Sequence, residues 1–175
     1  MKTLILVAHP QIENSIINKR WIEELMKYPD TIYVHQIYKE YPDENIDVEK
    51  EQKLVEKYDH LILQFPMYWF NCTPLLKKWM DKVLIYGWAY GSKGNKLKEK
   101  KISIAVSIGL NENKFSKFWD SETNTIDQIL SPFKAAFTYT KSDFRPCFKF
   151  FGTNEATREQ IEEKAKEYID FIQSL

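Results

Sequence analysis

The residues best suited to chemistry fall in three short stretches, 9–15 (HPQIENS), 66–73 (PMYWFNCT) and 107–110 (SIGL). In the first, His9, Asn14 and Ser15 are side-chain donors, with Asn18 one turn further on. Ser15 stands where a helix begins, and the free amides and dipole of a helix N-terminus attract an anion. Neither the GxGxxG pattern of dinucleotide loops nor a Walker A loop is present, so the stretch suits one terminal phosphate on a flexible tail. Taken alone it reads more simply as an ordinary capped helix, with His9 satisfied by a backbone carbonyl. The second stretch sets Met67, Tyr68, Trp69 and Phe70 in a row after Pro66. Four consecutive bulky residues cannot all face a core, although Trp69 or Phe70 singly could. Backbone groups there can pair with the polar edge of a flat, ring-shaped ligand while the side chains enclose it. In the third, Ser107 offers a hydroxyl and Gly109 lets backbone amides come close, but a plain strand-to-loop turn accounts for the residues equally well.

Other chemistries find less support. Cys72 lies just before a helix start, a position that can activate a thiol, but no histidine neighbours it in sequence. A small buried residue is its better reading. His9, His35 and His60 are scattered, with no partner at metal-ligand spacing, so no metal site is expected. His35 reads as a satisfied core or edge histidine. The 25 basic and 25 acidic side chains cancel, and no basic stripe is evident. That argues against nucleic acid as a partner and against an acidic, docking electron carrier. With only two cysteines there is no disulfide framework, which points to a reducing cytoplasm. The apolar run at 4–8 is too short for a signal peptide and is a buried strand instead.

The elements that must hold the three stretches alternate along the chain. Apolar or β-branched runs at 3–8, 31–37, 60–65, 102–108 and, broken by Pro146, 144–151 read as strands. Helical spacing appears at 15–28, 48–58, 74–86, 126–137 (despite Pro132) and 155–175. Pro74 suits a first helical turn, with Thr73 as its N-cap. Residues 38–45 and 109–124 read as loops. Strand–helix alternation over the whole length gives an α/β single domain, 1–175. It is a three-layer, doubly wound fold with a five-stranded parallel sheet in order 2-1-3-4-5 and helices on both faces. Ligands bind such sheets outside the carboxyl ends of the strands, at the switch between strands 1 and 3. The rule selects the same three stretches.

The segments AHP-x4-S-x2-N-K-R (8–20) and QFPMYWF-x3-PLLKKWMDKV-x2-YGWAYG (64–91) carry a resemblance to a known family, as does YPDENID followed by EQ (41–52). They resemble the flavodoxin-like NAD(P)H:quinone oxidoreductases. The short bacterial branch is the nearest, which holds general stress NAD(P)H oxidoreductases and ancillary subunits of glutathione-gated potassium-efflux systems. The resemblance covers essentially the full length. It implies a flavin, FMN in the short branch with FAD as the other form. His9, Ser15, Ile16, Ile17 and Asn18 would hold the phosphate end. Pro66, Met67, Tyr68, Trp69 and Phe70 would line the ring system, and Ser107, Ile108, Gly109 and Leu110 its other side. It further implies a cytoplasmic homodimer with the active site at the subunit interface, where Trp88 and Tyr90 reach the partner's ligand. The implied reaction is ping-pong, two-electron reduction of a quinone or similar acceptor by NADH or NADPH. The implied alternative is a regulatory subunit on a membrane potassium-efflux transporter, peripheral to the inner face of the membrane.

After the fourth strand the chain departs from the family pattern. Relatives carry Thr-Thr-Gly-Gly, then a tyrosine and a glycine-rich stretch often followed by histidine. Here the residues are Ser107-Ile108-Gly109-Leu110, then Phe115. A tyrosine–histidine proton relay therefore does not carry over. Phe115, Phe118 and Trp119 make the expected acceptor wall more apolar, which suits a bulky apolar acceptor, and Phe115 and Trp119 join Trp88 and Tyr90 as substrate contacts.

Overall fold

The computed structural model describes residues 2–117 and 126–175. Its strands are β1 (Thr3–Val7), β2 (Ile32–Gln36), β3 (His60–Pro66), β4 (Lys101–Ser107), β5 (Asp143–Phe144) and β6 (Phe148–Phe150). They form one parallel sheet in the order β2-β1-β3-β4-β5, with β6 also on β4. The expected fifth strand thus arrives in two pieces. Pro146 has no amide for a ladder and interrupts it, while Arg145 still donates to Ile102 O at 2.8 Å.

The helices are α1 (Ile16–Leu25), α2 (Ile37–Glu40), α3 (Val48–Glu56), α4 (Pro74–Val83), α5 (Glu112–Lys117), α6 (Ile126–Ile129), α7 (Ser131–Tyr139) and α8 (Arg158–Ser174). Alternation along the strands divides the core. Leu61, Leu63, Phe65, Ile102, Ile104 and Val106 pack with Val55 of α3, Leu75, Leu76 and Trp79 of α4, and Phe133 and Phe137 of α7. Ile5, Val7, Ile62 and Ala105 face the other way, onto Ile17, Trp21 and Leu25 of α1 and Ile161, Ala165 and Tyr168 of α8. Each large apolar side chain so buried contributes roughly 1.5–3 kcal/mol.

Several boundaries differ from the sequence reading. α1 stops at Leu25 and α4 at Val83, short of the expected Tyr28 and Tyr86. The expected 126–137 helix is two helices, because Pro132 belongs in the first turn of α7, where no amide is required. The expected loops at 38–45 and 109–124 contain α2 and α5. Thr73 does occupy the N-cap of α4, yet makes no side-chain cap bond. Its hydroxyl donates instead to Ala8 O at 3.0 Å, tying the end of β1 to the start of α4.

Candidate functional site

The carboxyl ends of β1, β3 and β4 lie side by side, with Val7 opposite Gln64 and Pro66 opposite Ser107. The three loops leaving them meet at one edge of the sheet. Met67 N–H donates to Ser107 O at 2.9 Å, so the second and third loops are joined directly.

At the first loop, residues 12–14 make one 3-10 turn before Ser15 caps α1. Ser15 Oγ accepts the Asn18 amide at 3.0 Å. The amides of Ile16 and Ile17 precede the first intrahelical acceptor and stay available to an anion. Of these two side chains, Ile16 is exposed and Ile17 is buried in the core. Among the described residues His9 meets no backbone carbonyl, contrary to the simple expectation. Its Nδ1 accepts the Gln11 amide at 3.2 Å. Nδ1 is therefore unprotonated and Nε2 carries the hydrogen. Burial lowers the His9 pKa, so the ring is a neutral donor. Beside it a cavity of about 480 Å³ runs between this loop and the end of β2, lined by Pro10, Gln36, Tyr38 and Lys39 among others.

Below the loops lies a buried polar floor. Gln64 Nε2 donates to Asn18 Oδ1 at 3.3 Å, and Asn18 Nδ2 donates to Ser107 Oγ at 2.9 Å. All three side chains are more than nine-tenths buried. They sit together because the even-numbered residues of β3 and the odd-numbered residues of β4 face α1, whose first turn brings Asn18 down onto them.

The second loop is a tight turn closed at both ends. Tyr68 N–H donates to Asn71 O and Asn71 N–H to Tyr68 O, each at 2.9 Å. Its two central residues have positive φ, 47° at Trp69 and 61° at Phe70. Turns of that hand ordinarily take Asn-Gly; two aromatic residues there are strained, by roughly 1–3 kcal/mol each. Phe70 recovers part of this by packing on Phe115, ring centroids 6.0 Å apart. Trp69 does not, since its indole is 94% exposed. The turn holds a large flat side chain in the open beside the strand ends.

At the third loop the structure separates the four expected residues. Ile108 is buried, and its amide donates to Phe150 O at 2.8 Å. It serves the sheet and offers a ligand neither amide nor side chain, which corrects the expectation for this residue. Leu110 O accepts the Gly152 amide, while the Leu110 side chain is partly exposed. Gly109 lies against Asn154, and a Cβ there would stand 2.8 Å from Asn154 Nδ2. Asn154 and Gly152 (φ 69°) thus border the site from the loop after β6. Sequence reasoning missed both, although the Gly-Thr-Asn run after a strand was a signal for a turn.

The expected substrate contacts are not equivalent. Phe115 is buried between Phe70 and Phe151, and forms the back of the aromatic wall. Trp88 is buried too, its indole N–H donating to Glu56 Oε1 at 2.8 Å. It fastens its loop to α3 and presents no ring outward, contrary to the role expected for it. The exposed ring of that loop is Tyr86, 67% exposed, edge-on to Tyr90. Tyr90 in turn packs on Tyr139, and with Met80, Leu84 and Phe133 they line a groove of about 420 Å³ between α4 and α7. Trp119, like Phe118, lies outside the described residues. Burial pushes the Cys72 thiol pKa up, away from nucleophilic use. Among the described residues no His, Cys, Asp and Glu group could hold a metal, and no helix is long and apolar enough to cross a membrane.

Comparison with known proteins points the same way. A family model described as flavodoxin-like fold matches residues 1–172. General stress protein 14 of Bacillus subtilis (strain 168) is 46% identical over 173 residues, covering 99% of this chain and 98% of the relative. The crystal structure of general stress protein 14 from Treponema denticola in complex with FMN superposes with TM-score 0.93 at 44% identity, over 99% of each chain. An NADPH-quinone reductase from P. pentosaceus superposes with TM-score 0.86 at 29% identity, over 98% of this chain and 97% of the other.

Proposed function

The chain belongs to a protein family of flavodoxin-like fold, and from that premise we propose that it is a flavin-dependent NAD(P)H oxidoreductase that reduces quinone-like acceptors by two electrons. The observation that carries this reading is the convergence of a capped helix start, a buried polar floor and an exposed aromatic turn on one sheet edge. The T. denticola relative, 44% identical, is described as a complex with FMN, and the P. pentosaceus neighbour as an NADPH-quinone reductase.

The residues fit such a group. Ser15 shapes the first turn of α1 so that the Ile16 and Ile17 amides receive a phosphate, and the neutral His9 Nε2–H adds a donor. The absence of a side chain at Gly109 keeps backbone open beside the ring, where a Cβ would crowd Asn154. The turn at 68–71 holds Trp69 as one wall, with Phe70, Phe115 and Phe151 behind it. Bound FMN would supply the hydride-accepting centre for NAD(P)H + H⁺ + quinone → NAD(P)⁺ + hydroquinone. The protein binds, orients and excludes water. Phe115 has no hydroxyl to give, so the acceptor's proton comes from solvent or from a group other than Phe115. The apolar wall favours a bulky apolar acceptor over a small hydrophilic one.

The same reading makes the protein a homodimer. Tyr139 is exposed at the α4–α7 groove, Tyr86 is exposed against Tyr90 of its lining, and Trp69 is exposed on the turn at 68–71; a second copy would cover them. Sedimentation at micromolar concentration checks this.

The deciding experiment is to purify the protein, identify any released flavin, and follow anaerobic bleaching by NADH and NADPH. The expected result is a yellow protein bleached by at least one donor and recoloured by a quinone. A colourless protein that takes up neither FMN nor FAD overturns the reading. Capture of a potassium-efflux transporter, with no turnover, would favour the regulatory role instead. Equal turnover of small hydrophilic and bulky apolar quinones would remove the acceptor preference alone.

A further inference from the structure

The hydrogen bonds of the polar floor have a direction, and it can be read from one atom that has no choice. The Asn18 main-chain oxygen can only accept, and Gln64 Nε2 lies 3.4 Å from it. That fixes the Gln64 amide with its NH₂ toward Asn18. The group of Asn18 facing Gln64, at 3.3 Å, must then be its oxygen Oδ1. Asn18 consequently turns Nδ2 toward Ser107, and Ser107 Oγ accepts at 2.9 Å. A serine hydroxyl that accepts still has one hydrogen to place. Among the described residues no acceptor takes it. Ser107 is the last residue of β4, and its own carbonyl is held by Met67 N–H. The free donor therefore lies between the helix start at 15–18 and the aromatic turn at 68–71.

We infer that Gln64, Asn18 and Ser107 form a hydrogen-bond chain of fixed direction, which makes the Ser107 hydroxyl a donor to the polyol of a bound flavin. The inference rests on the proposed function and deepens it. A phosphate at the α1 start and a ring at the turn leave the connecting ribityl chain to pass Ser107. Gln64 and Asn18 are positioning residues that set which way Ser107 points. The orientation is held at a cost, since Gln64 Oε1 is buried without a partner.

The test compares binding of FMN, riboflavin and lumiflavin, the last having the ring and no polyol, by quenching of flavin fluorescence. Ser107→Ala should weaken FMN and riboflavin by roughly three- to tenfold, the worth of one net hydrogen bond, and leave lumiflavin unchanged. Ser107→Thr, which keeps the hydroxyl, should restore binding. Gln64→Met should mimic Ser107→Ala, and the double variant should lose little more than either alone. Equal loss for all three ligands, or none for any, overturns the inference, and so does a Ser107→Thr that behaves as Ser107→Ala. If Gln64→Met fails to fold, the serine pair still decides. Wild-type protein that binds no flavin breaks the proposed function itself, a result distinct from unchanged binding in Ser107→Ala.

Discussion

Two buried polar clusters sit in this core, on opposite faces of the sheet, and they are built differently. On the α3–α4 face, Glu51 is fully buried and saturated. Its Oε1 accepts from Tyr41 Oη at 2.7 Å and pairs with His35 Nε2 at 2.8 Å, while Oε2 accepts Trp79 Nε1 at 2.7 Å. Burial alone would raise the Glu51 pKa, but His35 and the two hydrogen bonds outweigh it and hold the carboxyl below the usual range. On the α1 face, the Gln64–Asn18–Ser107 chain ends in a hydroxyl that finds no acceptor among the described residues. A closed cluster joins β2, α3 and α4 and asks for no ligand. The open one lies at the strand ends, where the proposed flavin would complete it. Both clusters are buried and polar, and they differ in whether every donor finds an acceptor.

The largest effect should come from breaking the closed cluster. Glu51→Leu strands the donors of His35, Tyr41 and Trp79, and should cost roughly 3–5 kcal/mol in denaturant unfolding. A loss as small as that of Ser107→Ala would erase the distinction. The wild-type cluster also has a pH signature. A carboxyl with a depressed folded pKa gives stability that is present above its ordinary 4.5 and is lost as pH falls through the folded value. Glu51→Leu should be less sensitive to acid in that range.

A second acid-sensitive element lies below the open chain on the same face. His60 is buried with Nε2 3.1 Å from Ser103 Oγ and Nδ1 unpartnered. Burial, with Lys101 and Arg145 adding to it, pushes its pKa from 6.5 down to about 4. Between those values the unfolded chain binds a proton that the folded one refuses. Stability is therefore full above 6.5, falls as pH drops toward 4, and levels off below; the span is worth up to about 3 kcal/mol. His60→Leu should flatten that limb of the stability–pH curve, and an unchanged limb would place the acid sensitivity elsewhere.

The strained turn sharpens the comparison from the functional side. Trp69→Gly removes an exposed indole and relieves a positive φ. It should raise stability by about 1 kcal/mol while weakening flavin binding and acceptor turnover. A variant that gains stability and keeps full activity would mean that the strain serves packing alone.

How legible this was in the sequence depended on the kind of signal. Strand runs such as 60–65 and the apolar face of α4 are periodic, so the sheet order and the three loops could be read in advance. Gln64 stood in the quoted motif, yet its role depends on strand parity and on the approach of α1, which no spacing records. Asn154 comes from a loop 45 positions beyond Gly109, a contact that only the fold creates. Trp88 misled because an aromatic residue in a loop suggests exposure; its indole is held instead by Glu56, a partner 32 positions away. Long-range pairings of single side chains leave no periodic trace.

The smallest expected effect is also the most selective. At Gly109 the backbone is unstrained, and an added Cβ would meet only the end of the exposed Asn154 side chain, at 2.8 Å. That side chain can swing away, so Gly109→Ala should change stability by no more than about 0.5 kcal/mol. The displaced carboxamide and the new methyl would, however, stand where the proposed flavin ring lies against the third loop. Flavin affinity should fall while unfolding stays put, the reverse of what Glu51→Leu does to the opposite face. If affinity holds and stability falls, Gly109 belongs with the closed, structural part of the molecule, and the third loop borders the site without touching its ligand.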